Sequence, residues 1–166
     1  MSDSKYTFKL KQKIVYPSQG VGLIKQIEEK EFKGEKIPYY TIFLDRSDMT
    51  VMVPVGKADE LGLRAIVPLE EAEHALEFIG QDFEPNTSDW KLRYQQNLEL
   101  LKKGTILDIG AIVRSLYHRS KVKDLPIMER KLYDQALNLF EDEIGHALKK
   151  TKEEIQKMIL ARLESE

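Results

Sequence analysis

A chain of 166 residues, 42% hydrophobic and 33% charged, has the make-up of a soluble globular protein built as one domain or two small ones. Without cysteine it has no disulfide, no thiolate nucleophile and no thiolate metal site, and a net charge of −2 argues against an autonomous DNA-binding protein. The charge is uneven: residues 1–90 carry 11 Lys/Arg against 16 Asp/Glu, residues 91–131 carry 10 against 4, and residues 132–166 carry 5 against 8.

The chain opens on a polar stretch, MSDSKYTFKLKQK, where a secretory signal would need an apolar run, and no apolar segment approaches about 18 residues. This predicts a cytosolic protein with no membrane segment. From Phe8 to about Val55 the texture is strand-like, with short β-branched and aromatic runs separated by Gly, Pro and Asp. The strands expected are Lys13 to Tyr16, broken by Pro17 and the turn Gly20-Val21-Gly22; Leu23 to Phe32; Tyr39 to Leu44 after a hairpin loop at Lys33-Gly34-Glu35-Lys36; and Met49 to Val55. Such short strands without a helix among them predict a small, strongly bent antiparallel sheet or barrel of the SH3 or Tudor kind, a binding module. Pro54 cannot donate a ladder hydrogen bond, so the last strand belongs at an edge. There Val51 and Met52 either offer a place for a partner strand to add itself or simply close the barrel's rim.

Beyond Pro54 the texture changes. Gly56 to Ile66 reads as a connector, and five amphipathic helices follow. One opens at Pro68 and ends at Gly80; a second runs from Trp90 to Gly104 after the capping run Asn86-Thr87-Ser88-Asp89; a third starts at Thr105 with Asp108. A fourth begins at Asp124 and Pro126 and carries Met128, Leu132, Leu139 and Ile144. The fifth is introduced by Thr151-Lys152-Glu153-Glu154, in which Thr and Glu three residues apart satisfy each other's first-turn amides. The expected fold class is thus α+β in two domains, an antiparallel barrel in residues 1–60 followed by an all-α bundle in residues 61–166.

Trp90, the only tryptophan, sits in the first turn of its helix, in register with Tyr94, Leu98 and Leu101, while Lys91, Gln95, Glu99 and Lys102 line another face. It is either the largest core residue of the bundle or an exposed wedge at a helix start. The positive charge concentrates just after it, at Lys91, Arg93, Lys102, Lys103, Arg114, Arg119, Lys121, Lys123, Arg130 and Lys131. Those cations are either solvated helix surface or a weak, salt-dependent phosphate-binding face.

Catalytic signatures are absent. No P-loop, dinucleotide fingerprint, zinc-peptidase, nucleophile-elbow or EF-hand pattern occurs. Glu28-Glu29, Glu70-Glu71 and Glu153-Glu154 stand in solvated or helix-opening contexts, and His74, His118 and His146 have no neighbouring ligands in sequence. The chain is expected to bind no metal or cofactor and to catalyse nothing.

Phe8-Lys9-Leu10, the run Ile14-Val15-Tyr16-Pro17-Ser18-Gln19-Gly20-Val21-Gly22, Met49-Thr50-Val51-Met52-Val53-Pro54-Val55 and Gly62-Leu63-Arg64 together resemble the CarD/CdnL family of bacterial transcription regulators. So do Trp90-Lys91-Leu92-Arg93-Tyr94, Gly104, Val113-Arg114-Ser115-Leu116-Tyr117 and Glu129-Arg130-Lys131-Leu132 in the second half. The resemblance implies a Tudor-like domain docking on the RNA polymerase β subunit and a helical domain whose Trp wedges into the DNA minor groove at the upstream edge of the transcription bubble, stabilising the open promoter complex. By position, Trp90 would be the wedge, with Arg93 and Lys91 holding nearby phosphates, and from the basic run Arg114, Lys123 and Arg130 are expected to add to the DNA face. Lys30, Phe32, Met52 and Pro54 would face the polymerase. The protein is expected to be a monomer that binds promoter DNA weakly, having few phosphate contacts, and without sequence preference, since a wedge reads shape. The chain departs from the family where Lys11-Gln12 replaces Gly-Asp in the first turn and Leu92 replaces the first of two arginines after the Trp.

Two other readings stand beside this one. A protein–protein adaptor would use the barrel for its partner and keep Trp90 buried in a rigid spacer. A Tudor-like reader of modified peptides would need an aromatic cage, for which Tyr16, Tyr39, Tyr40 and Phe43 are the candidates, although strand alternation sends Tyr39 and Tyr40 to opposite faces.

Overall fold

The computed structural model describes residues 6–82 and 89–164. Among them the chain forms a five-stranded antiparallel sheet and then five α-helices, the α+β architecture expected. The strands are β1 (Lys13–Tyr16), β2 (Gly20–Phe32), β3 (Glu35–Leu44), β4 (Met49–Pro54) and β5 (Arg64–Ala65), in spatial order β4-β3-β2-β1-β5. The helices are α1 (Leu69–Ile79), α2 (Trp90–Lys103), α3 (Ile106–Val122), α4 (Ile127–Leu148) and α5 (Lys152–Glu164). The chain divides into two compact units, Met1–Ile66 and Val67–Glu166, each with its own apolar core.

The sheet unit runs past the expected boundary at residue 60. What reads in sequence as a connector contributes β5, where Ile14 pairs with Ala65 and Val15 with Arg64, and it buries Ala58 and Leu63 in the sheet's core. A two-residue strand is too short to show a period-2 pattern, so only the pairing reveals it.

One face of the sheet is dry. Ile14, Ile24, Tyr40, Ile42, Leu44 and Val53 are all at most 2% exposed. Ile24 faces Ile42 and Ile27 faces Tyr40, although Ile24 and Ile27 lie three apart where simple alternation sends them to opposite sides. The register shift between Ile24 and Gln26 explains this: Lys25 is an extra residue, and the bulge resets the alternation so that both isoleucines point inward. Tyr40 is fully buried, stacks edge-on against Phe8 at 5.6 Å, and its hydroxyl accepts a 3.2 Å hydrogen bond from the Phe8 N–H.

Lys11 has φ +66°, a left-handed conformation that a side chain tolerates poorly. The turn is held in spite of this by hydrogen bonds from the Lys11 N–H to the Ile24 carbonyl (2.8 Å) and from the Ile24 N–H to the Gln12 carbonyl (3.0 Å).

In the helical unit, α3 supplies the centre, with Ile109, Ile112, Val113 and Leu116 at most 3% exposed, and α1, α4 and α5 add Leu76, Ile79, Leu139, Phe140, Ile144, Ile155 and Ile159. The expected caps form: the Thr105 hydroxyl accepts from the Asp108 N–H at 3.1 Å, and Thr151 and Glu154 exchange two bonds of 2.9 and 3.2 Å. Those bonds to Thr151 hold the Glu154 carboxyl below its ordinary value. The Asp89 side chain caps α2 at the Lys91 N–H (3.3 Å), while Asn86, Thr87 and Ser88 of the expected capping run lie outside the described residues. Gly104 closes α2 with φ +70°.

The Gly22 backbone lies against β3, so a methyl group built there would approach Ile42 Cγ2 to 2.6 Å and Leu44 Cδ2 to 3.1 Å. Gly22→Ala should therefore destabilise the sheet unit by about 1–3 kcal/mol, read as a lower denaturation midpoint in urea.

Candidate nucleic-acid interface and partner edge

Each unit carries a candidate interface. In the sheet, the face opposite the core gathers Gln26, Glu28 and Lys30 from β2, Thr41 and Tyr39 from β3, and Met52 and Pro54 from β4, because Gln26 pairs with Thr41 and Thr41 with Met52, while Glu28 pairs with Tyr39 and Tyr39 with Pro54. Three of the four residues assigned to the polymerase, Lys30, Met52 and Pro54, thus share one sheet face. The side chain of Phe32 lies outside the described residues. Met52 is 42% exposed, Pro54 is half-buried, and Lys30 is exposed beside Glu28, 3.8 Å away. β4 is an end strand of the sheet, so its outward-facing N–H and C=O groups are a template for another extended strand. The aromatic candidates for a peptide-reading cage do not converge: Tyr40 is sealed in the core, Tyr16 packs against it, and Tyr39 and Phe43 lie on the other face.

In the helical unit the first turn of α2 decides the geometry. The sequence suggests a stripe through Trp90, Tyr94, Leu98 and Leu101; the fold rotates it, and the deepest line of α2 is Arg93, Asn97 and Leu101. Trp90, Tyr94 and Leu98 ride half-buried beside that line, with the Trp90 and Tyr94 rings edge-on at 6.4 Å. Lys91, Gln95, Glu99 and Lys102 are exposed, as their spacing predicts. The indole is therefore neither sealed in the core nor fully in solvent.

Arg93, expected to hold a phosphate, is used differently. Its side chain is 5% exposed and grips Glu129, itself fully buried in the first turn of α4, through Nε to Oε2 at 2.7 Å and Nη2 to Oε1 at 2.5 Å. A buried charge needs such a partner, since leaving it uncompensated costs several kcal/mol. Arg114, also placed on the DNA face by the sequence, instead turns toward α1: its Nη1 donates to the Phe78 carbonyl at 3.1 Å and its guanidinium stacks on the Phe78 ring at 4.1 Å. Burial pulls the Arg114 pKa below its ordinary value, and burial together with the Arg114 charge lowers that of His118.

The Arg93–Glu129 bridge brings the starts of α2 and α4 side by side. Trp90 and Lys91 come from one helix start and Arg130 from the other, while Lys123, at the end of α3, is joined to α4 by only Asp124-Leu125-Pro126, a reach of at most about 14 Å. Lys91, Lys123 and Arg130 are exposed, Arg130 with its guanidinium 5.9 Å from the Tyr133 ring centroid. Exposed apolar residues that the sequence reading missed also gather here: Leu92 (52%), Val122 (76%), Ile127 (75%) and Met128 (49%). Met128 shares the helical period with Leu132 and Leu139, yet it stands exposed beside the buried Glu129 in the first turn of α4. The same end presents two helix N-termini, whose unpaired amides and dipoles favour anions.

Among the described residues no group of three or more His, Asp or Glu is placed to hold a metal ion, and no helix is long and apolar enough to cross a membrane. The half-buried indole should be quenched by acrylamide with an efficiency between those of a core and a free tryptophan, and a quencher-inaccessible Trp90 would contradict this exposure.

Residues 74–160 match the family model "CarD, C-terminal domain", and residues 8–67 match "CarD-like/TRCF RID domain". The chain is also 34% identical over 137 residues to a Bacillus subtilis (strain 168) protein named "Putative transcription factor YdeB", an alignment that covers 82% of this chain and 90% of that protein. With a sheet unit and a helical unit each matched in turn, the chain belongs to the CarD family.

Proposed function

We propose that this protein is a transcription regulator that docks on the RNA polymerase β subunit through the sheet unit and stabilises the open promoter complex by wedging Trp90 into the minor groove at the upstream edge of the bubble. The observation that carries the reading is a lone tryptophan, half-buried at a helix start, flanked by the exposed cations Lys91, Lys123 and Arg130. An apolar wedge costs a few kcal/mol of unstacking per base step, recovered where the duplex is already distorted. Bubble edges offer such distortion. With Arg93 and Arg114 turned inward, the exposed cations placed at the Trp90 end are Lys91, Lys123 and Arg130, so intrinsic DNA affinity is weak, with a log–log salt slope of about −3 for three contacts.

Weak intrinsic affinity suffices if the sheet unit tethers the helical unit to polymerase, because tethering raises the local concentration to the order of mM. The free edge of β4, with Met52, Pro54 and Lys30 on its outward face, supports that docking role. In this proposal the protein acts as a monomer in the cytoplasm, located on the nucleoid through polymerase, and neither catalyses a reaction nor carries a cofactor. The adaptor alternative requires a fully buried indole and is disfavoured by the partial exposure of Trp90.

The deciding experiment compares promoter-complex lifetime with and without the protein. Trp90→Ala should keep polymerase binding while losing about 1–3 kcal/mol of base stacking, a shortening of at least about fivefold; an unchanged lifetime would remove Trp90 from the mechanism. Met52→Glu places a charge on the docking face and should abolish polymerase capture in a pull-down, whereas undiminished capture would place the docking surface elsewhere.

A further inference from the structure

The first eleven residues of α2 contain no fully buried apolar side chain. Over that length the inward line consists of Arg93 and Asn97, and the Asn97 Nδ2 meets no hydrogen-bond partner among the described residues. Tyr94, Leu98 and Leu100 reach the apolar core only partly buried, so the directional, fully buried contact at the start of α2 is the two-point grip of Arg93 on Glu129. Glu129 stands on a firm base: it is fully buried, and one to three turns further along α4 Leu132, Ala136, Leu139 and Phe140 are in the core. Trp90 precedes Arg93 by three residues and so lies on the same side of α2, about one turn nearer its end.

Resting on the wedge reading above, we infer that Arg93 and Glu129 are positioning residues for Trp90, and that their buried bridge sets the direction in which the indole leaves the bundle. Two parallel hydrogen bonds from a planar guanidinium to a carboxylate fix both the separation of the two helix starts and the rotation of α2 about its own axis. An apolar contact is non-directional and would hold α2 in place without fixing its rotation. Stability alone does not call for charges here, since well-packed apolar residues in place of a buried ion pair are often neutral or stabilising. A polar pair does what an apolar one does not: it specifies a single arrangement.

The test replaces the pair in the full-length protein by the apolar Arg93→Met/Glu129→Leu double variant and, separately, makes Glu129→Gln. Because Trp90 is the only tryptophan, fluorescence anisotropy of the free protein reads the indole's freedom directly. The double variant is expected to melt as high as the parent and to retain polymerase, yet to show lower anisotropy and an open-complex lifetime shortened roughly two- to thirtyfold, the range for residues acting through another. Unchanged anisotropy in a folded variant overturns the inference; should the double variant not fold, Glu129→Gln is read in the same way. If anisotropy falls while Trp90→Ala leaves the lifetime untouched, the bridge does position the indole and it is the wedge reading that fails.

Discussion

Two charges removed from water join the start of α2 to the start of α4 in the helical unit. Arg93 and Glu129 satisfy one another by paired hydrogen bonds in a place where either alone would be strongly unfavourable. The juxtaposition of the α2 and α4 starts follows from that contact, and with it the grouping of Trp90, Lys91, Arg130 and Lys123 at one end of the bundle. The rest of the unit is conventional apolar packing around α3, which tolerates volume-conserving substitution one residue at a time, whereas loss of one member of this pair leaves the other charge buried and uncompensated. It also explains the basic composition of residues 91–131: part of that charge is structural, spent inward at Arg93 and Arg114, and only the remainder faces solvent.

The sheet unit depends on a smaller device. The bulge at Lys25 lets Ile24 and Ile27 both enter the core, and in doing so it turns Gln26, Glu28 and Lys30 onto the outer face with Tyr39, Thr41, Met52 and Pro54. Without the extra residue, the second half of β2 would place its polar side chains in the core and Ile27 in solvent. A single irregularity thus secures the core and assembles the outward surface proposed to meet the polymerase.

Separate cores suit separate tasks. Residues 1–66 and 67–166 each bury their own apolar residues, and membership of the CarD family attaches a known type of module to each. In the proposed division, specificity for the transcription machine resides in main-chain pairing and side-chain fit at a sheet edge, and the DNA contact reads a distorted duplex by shape. Neither interface then needs to be strong alone.

Much of this was written in the chain. The period-2 runs of β1, β3 and β4, the turn glycines, and the caps at Asp89, Thr105 and Thr151 act over a few residues, so β-strands, helices and their order follow from local chemistry, as does the placement of Trp90 in a first turn. Contacts between residues far apart in sequence were not legible. Arg93 meets Glu129 across 36 residues and Arg114 meets the Phe78 carbonyl across the same interval, so both cations, free by every local criterion, turned out to be internal partners. Met128 kept the helical period yet stands in solvent, and β5 became a strand only by finding β1. Periodicity states which side chains share a face; which face is covered, and by what, is a property of the packed whole.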